Sequence, residues 1–186
     1  DICPSRGLGD VYKRQGSTQS SITYLDGENG VLRYRGYSIE ELAENASFIE
    51  VAYLLIYGDL PNVEQLKYFQ EGITHHTLVH ENMKRFFEAF PPGAHPMGML
   101  SSMISSLSTF YPESQNPNRS VVDIELTIHR LIAKLPTLAA QAYKHNMGHP
   151  TVYPSNKLSY CGNFLQMMFA LPSEEYTVDP IVESAI

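Results

Sequence analysis

The sequence predicts a mainly α-helical protein that carries one short β-hairpin near its N-terminus. Helix-capping residues and apolar residues at helical spacing recur from Ser38 onward. Before Ser38, two short runs of strand-forming residues, 21–25 and 31–35, flank the turn sequence DGENG, whose two glycines would supply the positive φ angles of a tight hairpin. We therefore expect a multi-helical domain against which this hairpin packs, because an isolated hairpin is only marginally stable.

The composition limits the functions that are open to the chain. It has 186 residues, enough for one domain, with a net charge of −7 and a pI of about 5.4. This charge disfavours non-specific nucleic-acid binding, which requires a basic surface. The two cysteines make no disulfide framework, and no apolar run reaches the ~20 residues of a membrane span. We expect a cytoplasmic protein with no nucleic-acid or membrane partner.

Both ends of the chain depart from the pattern of a complete domain. Residues 1–16 show neither helical nor alternating periodicity, and we predict an unstructured leader that is foreign to the domain. The sequence does not begin with Met, and the helical pattern continues as far as Ile186. We therefore expect residues 17–186 to be the N-terminal part of a large helical domain that is truncated and incomplete.

Local signals predict the boundaries of the first three helices. Two serine–glutamate pairs have the spacing of a capping box and mark two helix starts: Ser38 with Glu41, and Ser47 with Glu50. Gly58 follows an apolar run and suits the end of the second helix, with Pro61 just beyond it. Asn62 can cap a third and longer helix, which we predict to continue to about residue 80.

The second half of the chain is also predicted to be helical. The predicted helices cover residues 97–110, 121–135, 136–145 and 158–171, and a last one starts at Asp179-Pro180. We interpret Pro136 as the first residue of a new helix, because proline inside a helix removes a backbone hydrogen bond. Residues 111–120 contain two prolines and several polar turn formers, and they form the clearest predicted loop.

The histidines and cysteines offer only weak candidates for chemistry. His76 and His80 are four residues apart, so one helix face would present both, a spacing that can hold zinc. A zinc site needs at least a third ligand, and none is evident, so we expect no metal. Cys161 lies in an apolar helical segment, where a buried and unreactive thiol is the simpler interpretation.

Arg130 and Lys134 form a more informative pair. Their spacing of four residues places two positive charges on one helix face, where like charges repel slightly. Such a pair indicates either an anionic partner, such as a phosphate, or an ordinary solvated helix face. The residues alone leave both interpretations open, because the chain contains no Gly-rich phosphate loop that leads from a strand into a helix.

Three long segments of the chain follow, in the same order and almost without gaps, the sequence of a known family. They are SSITYLDGENGVLRYRGYSIEELAENASFIEVAYLLIYGDLP, HTLVHENMKRFFEAFPPGAHPM and AKLPTLAAQAYKHNMGHPTVYPSNKLSYCGNFLQMMFALPSEEY. The chain resembles bacterial-type citrate synthase, and within it the longer class that forms hexamers. The resemblance implies a citrate-synthase-like large helical domain, homodimers or hexamers, and condensation of acetyl-CoA with oxaloacetate to citrate and CoA, with no covalently bound cofactor.

The resemblance also implies which residues have functional roles. The catalytic residues of the family correspond to segments C-terminal to this chain, so we expect no catalytic residue here and no activity of the fragment alone. Six residues match an allosteric NADH site found in some members: His76, Thr77, Tyr111, Arg130, Lys134 and Asn156. The chain departs from that site at three positions, where it has His75, Leu78 and Ser173. Replacing an arginine by His75 removes a bidentate phosphate contact.

Two other functions remain open from the sequence. The first is 2-methylcitrate synthase, which uses propionyl-CoA in place of acetyl-CoA. The second is a helical module without catalysis, which would bind a nucleotide or pair subunits.

Overall fold

The structure, a computed structural model, describes residues 20–186. The leader predicted over residues 1–16 lies outside the described residues. The described residues divide into two compact units, residues 20–66 and residues 67–186, which are described separately. Helices make up most of the described residues, and a small sheet precedes them, so the prediction of a mainly α-helical fold with an N-terminal hairpin is confirmed.

The first unit begins with a three-stranded antiparallel sheet in the order β1-β2-β3. Its strands are β1 (Thr23–Asp26), β2 (Val31–Tyr34) and β3 (Tyr37–Ser38). The predicted hairpin is β1-β2, and its register places Asp26 opposite Val31. Strand β3 was not predicted. It follows a two-residue turn in which Arg35 and Gly36 both adopt a positive φ, of 51° and 94°.

The hairpin turn is held mainly by one aspartate. Asp26 Oδ1 accepts hydrogen bonds from the backbone N–H groups of Glu28 and Asn29, at 3.1 and 3.2 Å. Gly30 has the expected positive φ of 66°, but Gly27 does not adopt a positive φ. The prediction that both glycines serve this purpose is therefore wrong for Gly27, since the Asp26 side chain already stabilises that part of the turn.

Two short helices complete most of the first unit, α1 (Ile39–Asn45) and α2 (Phe48–Tyr57). Ser38 caps α1 as predicted, because its side chain accepts a hydrogen bond from the third helical N–H. Ser47 and Glu50 form the complete capping box at the start of α2. Gly58 ends α2 in the left-handed conformation with φ of 99°, which is the predicted role of this glycine.

Helix α3 (Val63–Thr74) starts as predicted and ends early. Asn62 Oδ1 accepts the N–H of Gln65 at 2.9 Å, so the predicted cap is present. The prediction that this helix continues to about residue 80 is wrong, because the helix stops at Thr74. His76 and His80 consequently do not share a helix face, and their spacing loses the meaning that it has in a helix.

The core of the second unit lies between three helices, α4 (Asn82–Glu88), α5 (Pro96–Phe110) and α6 (Val121–Asn146). Its buried members are all apolar, and all but Val79 and Ala142 are large. They are Val79, Met83, Phe87, Met99, Met103, Leu107, Leu138 and Ala142. The predicted loop between α5 and α6 contains a short 3-10 turn, Pro112–Gln115. Helix α6 is the longest element and packs against α4, α5 and the next helix.

The chain ends with α7 (Tyr160–Phe169) and α8 (Pro180–Ala185). The predicted break after α6 is present, and Gly148 adopts φ of 66° there. Asp179 caps α8 as expected by accepting the N–H of Ile181 at 2.8 Å. Within residues 20–186 no helix combines the length and the apolar character that crossing a membrane would require.

Pro136 lies inside α6 and does not divide it, so the prediction of two helices is wrong at this point. Proline has no N–H, and the carbonyl of Ile132, one turn earlier, therefore loses its normal intrahelical partner. Tyr160 Oη, on α7, donates a hydrogen bond to this carbonyl at 2.9 Å. A contact between residues distant in sequence thus allows the helix to continue through the proline.

Candidate functional site

A cavity of about 210 Å³ opens in the second unit between the end of α5, the 3-10 turn and α6. Its lining is apolar toward α5 and cationic toward α6 and the preceding loop: Ile104, Leu107, Ser108, Tyr111, Ser114, Arg119, Thr127, Arg130, Leu131 and Lys134. Three of these residues carry a positive charge, and no lining residue is a carboxylate. In a protein of net charge −7, such a concentration of cations favours an anionic ligand.

Tyr111 brings the two predicted cations together. The Arg130 Cζ atom lies 4.3 Å from the centroid of the Tyr111 ring, and the Lys134 Nζ atom lies 5.6 Å from it. Both distances are within the range of a cation–π interaction. Burial raises the pKa of the Tyr111 phenol above its ordinary value, so the ring remains neutral beside the two cations.

Arg130 also forms an ion pair with Glu113 in the 3-10 turn. Their side chains are 20% and 44% exposed. The hydrogen bond from the guanidinium lowers the pKa of the Glu113 carboxyl below its ordinary value. Because the pair is partly exposed to solvent, we expect it to contribute little to stability.

Lys134 is almost fully buried, with 3% of its surface exposed. Its ammonium donates hydrogen bonds to the backbone carbonyls of His76, at 2.7 Å, and of Leu78. Burial lowers the pKa of Lys134 to about 8, and the neighbouring Arg130 contributes in the same direction. Near pH 7 the side chain is charged, and its charge is compensated by neutral carbonyl groups, not by a carboxylate.

The contacts of α6 explain why α3 ends early. Thr137 Oγ1 donates to the carbonyl of Thr77 at 2.8 Å. With the two bonds of Lys134, side chains of α6 bind three successive carbonyls, those of residues 76–78. In an α3 that continued to residue 80, only the carbonyl of His76 would accept an intrahelical hydrogen bond, and the other two would be unpaired carbonyls of the last turn. The segment instead leaves the helix and joins α6, which buries the Thr77 side chain.

The histidines near the site are close to cations. Burial lowers the pKa of His76 below its ordinary value, and Lys134 and Arg130 lower it further. His75 Nδ1 lies 2.7 Å from the carbonyl of Glu71 and is engaged locally. Among residues 20–186, no group of three or more His, Cys, Asp or Glu side chains is arranged to hold a metal ion.

The structure thus gathers five of the six predicted effector residues in one place. Tyr111, Arg130 and Lys134 line the cavity. His76 and Thr77 lie beside it, because Lys134 binds the His76 carbonyl and Thr137, one turn further along α6, binds the Thr77 carbonyl. The sixth, Asn156, is an exposed residue in a turn and does not line the cavity.

Two charged residues of the site, Arg119 and Glu113, were not predicted. Arg119 lines the cavity, and Glu113 binds Arg130. Both come from the loop between α5 and α6. No local spacing rule relates a loop residue to a helix residue that lies 17 positions away. The loop holds two charged residues among ten, close to the 18% of the whole chain, so its composition did not indicate them.

Residues 11–186 match a family whose description is "Citrate synthase, C-terminal domain". The chain belongs to the citrate synthase family. It is 49% identical over 175 residues to "Citrate synthase 1" of two Mycobacterium tuberculosis strains, CDC 1551 / Oshkosh and H37Rv, and this match covers 94% of the chain and 40% of each relative.

Solved structures of the family have the same fold. The citrate synthase from Pyrobaculum aerophilum superposes with a TM-score of 0.79 at 30% identity, over 92% of this chain and 43% of that one. The citrate synthase from Thermotoga maritima MSB8 superposes with a TM-score of 0.70 at 28% identity, over 90% of this chain and 41% of that one. This chain therefore spans about two fifths of the length of the relatives that it matches.

Proposed function

We propose that the protein to which this chain belongs condenses acetyl-CoA with oxaloacetate to give citrate and free CoA. The observation that carries the proposal is the 49% identity to Citrate synthase 1 over 94% of the chain. The reaction forms a carbon–carbon bond and then consumes water to hydrolyse the resulting thioester, which releases citrate and the free thiol of CoA. It needs a base for the acetyl methyl group and a donor to the developing enolate oxygen, with acetyl-CoA as co-substrate and no covalent cofactor.

We place no catalytic residue among those described in this chain. The buried His129 packs against the ring of Phe69, and His76 lies beside two cations that oppose its protonation. Neither arrangement resembles a base next to a hydrogen-bond donor in an open cleft. The 186-residue chain alone is expected to release no CoA, because the acid–base groups would come from the remainder of the protein.

Release of CoA tests the proposed reaction directly. Thiol formation is followed with a chromogenic disulfide reagent in the presence of acetyl-CoA, with and without oxaloacetate. The proposal expects a rate that depends on oxaloacetate and is higher with acetyl-CoA than with propionyl-CoA at equal concentration. A rate that is higher with propionyl-CoA would contradict the assignment, and so would an absence of turnover in the whole protein.

The cavity supports a second proposal, that NADH inhibits the enzyme by binding there. Arg119, Arg130 and Lys134 offer positive charge to a pyrophosphate, and Tyr111 offers an aromatic surface at the same place. Replacing Arg130 by Gln is expected to raise the NADH concentration for half-inhibition about tenfold, which is the effect of losing one hydrogen bond between charged groups. Arg85→Gln is the matched control, since Arg85 is an exposed residue of α4 and does not line the cavity. The proposal fails if wild-type protein shows no inhibition by millimolar NADH.

We further propose that the protein is a cytoplasmic homo-oligomer, a dimer or a hexamer of the longer bacterial class. The sequence resemblance supports this, and α6 carries exposed apolar residues at its start, with Val121 80% and Val122 71% exposed. Exposed apolar residues at one end of a helix favour a protein–protein contact. Sedimentation velocity distinguishes the assemblies, and a monomer at micromolar concentration would contradict the proposal.

A further inference from the structure

The 3-10 turn places a carboxylate at the edge of the cationic cavity. Pro112–Gln115 follows Tyr111 directly, and the turn presents Ser114 to the cavity and Glu113 to Arg130. Glu113 binds the guanidinium of the same residue that we propose as a phosphate ligand. The arrangement matters for the site because it joins an anion of the protein to a cation that an anionic ligand would need.

A carboxylate and a phosphate compete for the same donors of an arginine. The guanidinium presents its N–H groups in a planar fork that binds one bidentate oxyanion on each edge. Arg130 is only 20% exposed, and the Tyr111 ring covers one of its faces at 4.3 Å. A phosphate that enters the cavity must therefore displace Glu113 from Arg130 or bind beside its negative charge. Either route weakens the binding of the phosphate.

We infer that Glu113 is an internal competitor that holds Arg130 when the cavity is empty and lowers the affinity of the cavity for phosphate-bearing ligands. The inference rests on the effector site proposed above. Arg130 lowers the pKa of the Glu113 carboxyl, so the competing charge is present at neutral pH. The competition sets an affinity threshold, because only a ligand that gains further contacts from Arg119 and Lys134 displaces the carboxylate.

The position of the charge distinguishes this role from a general electrostatic effect. Glu113→Gln removes the carboxylate and keeps the size of the side chain. Glu71→Gln is the matched control, because it makes the same change in net charge and also breaks an exposed ion pair, that of Lys67 and Glu71 on α3. A competitor acts only through its partner, so the effect of Glu113→Gln should vanish when Arg130 is replaced by Gln.

The experiment measures binding of inorganic pyrophosphate and of NADH to the full-length protein by calorimetry at pH 7.0 and low salt. The inference expects Glu113→Gln to bind pyrophosphate about two- to fivefold more tightly than wild type, which is the effect expected for a partly exposed ion pair. Glu71→Gln should bind pyrophosphate with an affinity within about 1.5-fold of wild type, because distant exposed charges are screened by solvent and salt.

The outcomes separate this inference from the NADH proposal. If pyrophosphate binding tightens and NADH does not bind, the competitor role stands and the NADH proposal fails. The inference is overturned if Glu113→Gln leaves pyrophosphate affinity unchanged or weakens it. It is equally overturned if Glu113→Gln still tightens pyrophosphate binding in the Arg130→Gln background. Failure of 10 mM pyrophosphate to bind to wild type and to Glu113→Gln would also overturn it.

Discussion

The hydrogen bond from Tyr160 to Ile132 gives the sharpest test of how α6 is stabilised. Tyr160→Phe removes the hydroxyl that satisfies the carbonyl left without a partner by Pro136. A partly buried carbonyl without a partner costs about 1–3 kcal/mol. For a domain of this size, each kcal/mol corresponds to about 2–4 °C in Tm. Burial raises the pKa of Tyr160, so the hydroxyl remains a donor throughout the neutral range.

A double-mutant cycle isolates this contribution. Pro136→Ala restores a backbone N–H that can bind the Ile132 carbonyl within the helix. In that background, Tyr160→Phe should cost about 0.5 kcal/mol or less, which corresponds to a coupling energy of at least about 0.5 kcal/mol. Tyr143→Phe is the control hydroxyl deletion, because the Tyr143 ring packs on Phe169 in a T-shaped contact. Thermal and urea unfolding measure all variants, and an equal cost of Tyr160→Phe in both backgrounds would refute the reasoning.

Three further predictions concern packing, charge and capping. A Cβ atom at Gly72 would lie 2.6 Å from His129 Nδ1, so Gly72→Ala should lower the free energy of unfolding by about 1–3 kcal/mol; an unchanged Tm would contradict the packing. Lys134 has a pKa of about 8 and is charged below that value, so NADH affinity should fall as the pH rises from 7 to 9, and Lys134→Met should abolish that fall. Ser47→Ala removes the capping box with Glu50 and should cost about 1 kcal/mol in urea unfolding, whereas a cost below about 0.3 kcal/mol would argue against the cap.

Local signals predicted those parts of the fold that are determined locally. The Ser47 capping box, the Gly58 terminus and the Asn62 cap are present because each depends on residues within one helical turn. The two errors in helix boundaries have the opposite cause. The continuation through Pro136 depends on Tyr160. The early end of α3 depends on Lys134, which binds the carbonyls of His76 and Leu78, both more than 50 positions away. Such contacts leave no periodic trace in the sequence.

The candidate site was likewise predictable only in part. The Arg130 and Lys134 spacing indicated an anionic partner, and the family resemblance added Tyr111, which the structure places against both cations. The sequence did not reveal that Lys134 donates two hydrogen bonds to backbone carbonyls. These bonds give Lys134 a structural role in addition to its proposed role in binding phosphate. The sequence also did not reveal Glu113, because an ion pair between a loop and a helix is determined by the tertiary fold.

A crystal structure of the whole protein with NADH tests the central claim most directly. The account predicts pyrophosphate oxygens within hydrogen-bond distance of the Arg130 guanidinium in the cavity beside Tyr111, with the Glu113 carboxylate released from Arg130. NADH bound elsewhere, with the Arg130–Glu113 ion pair intact, would contradict it.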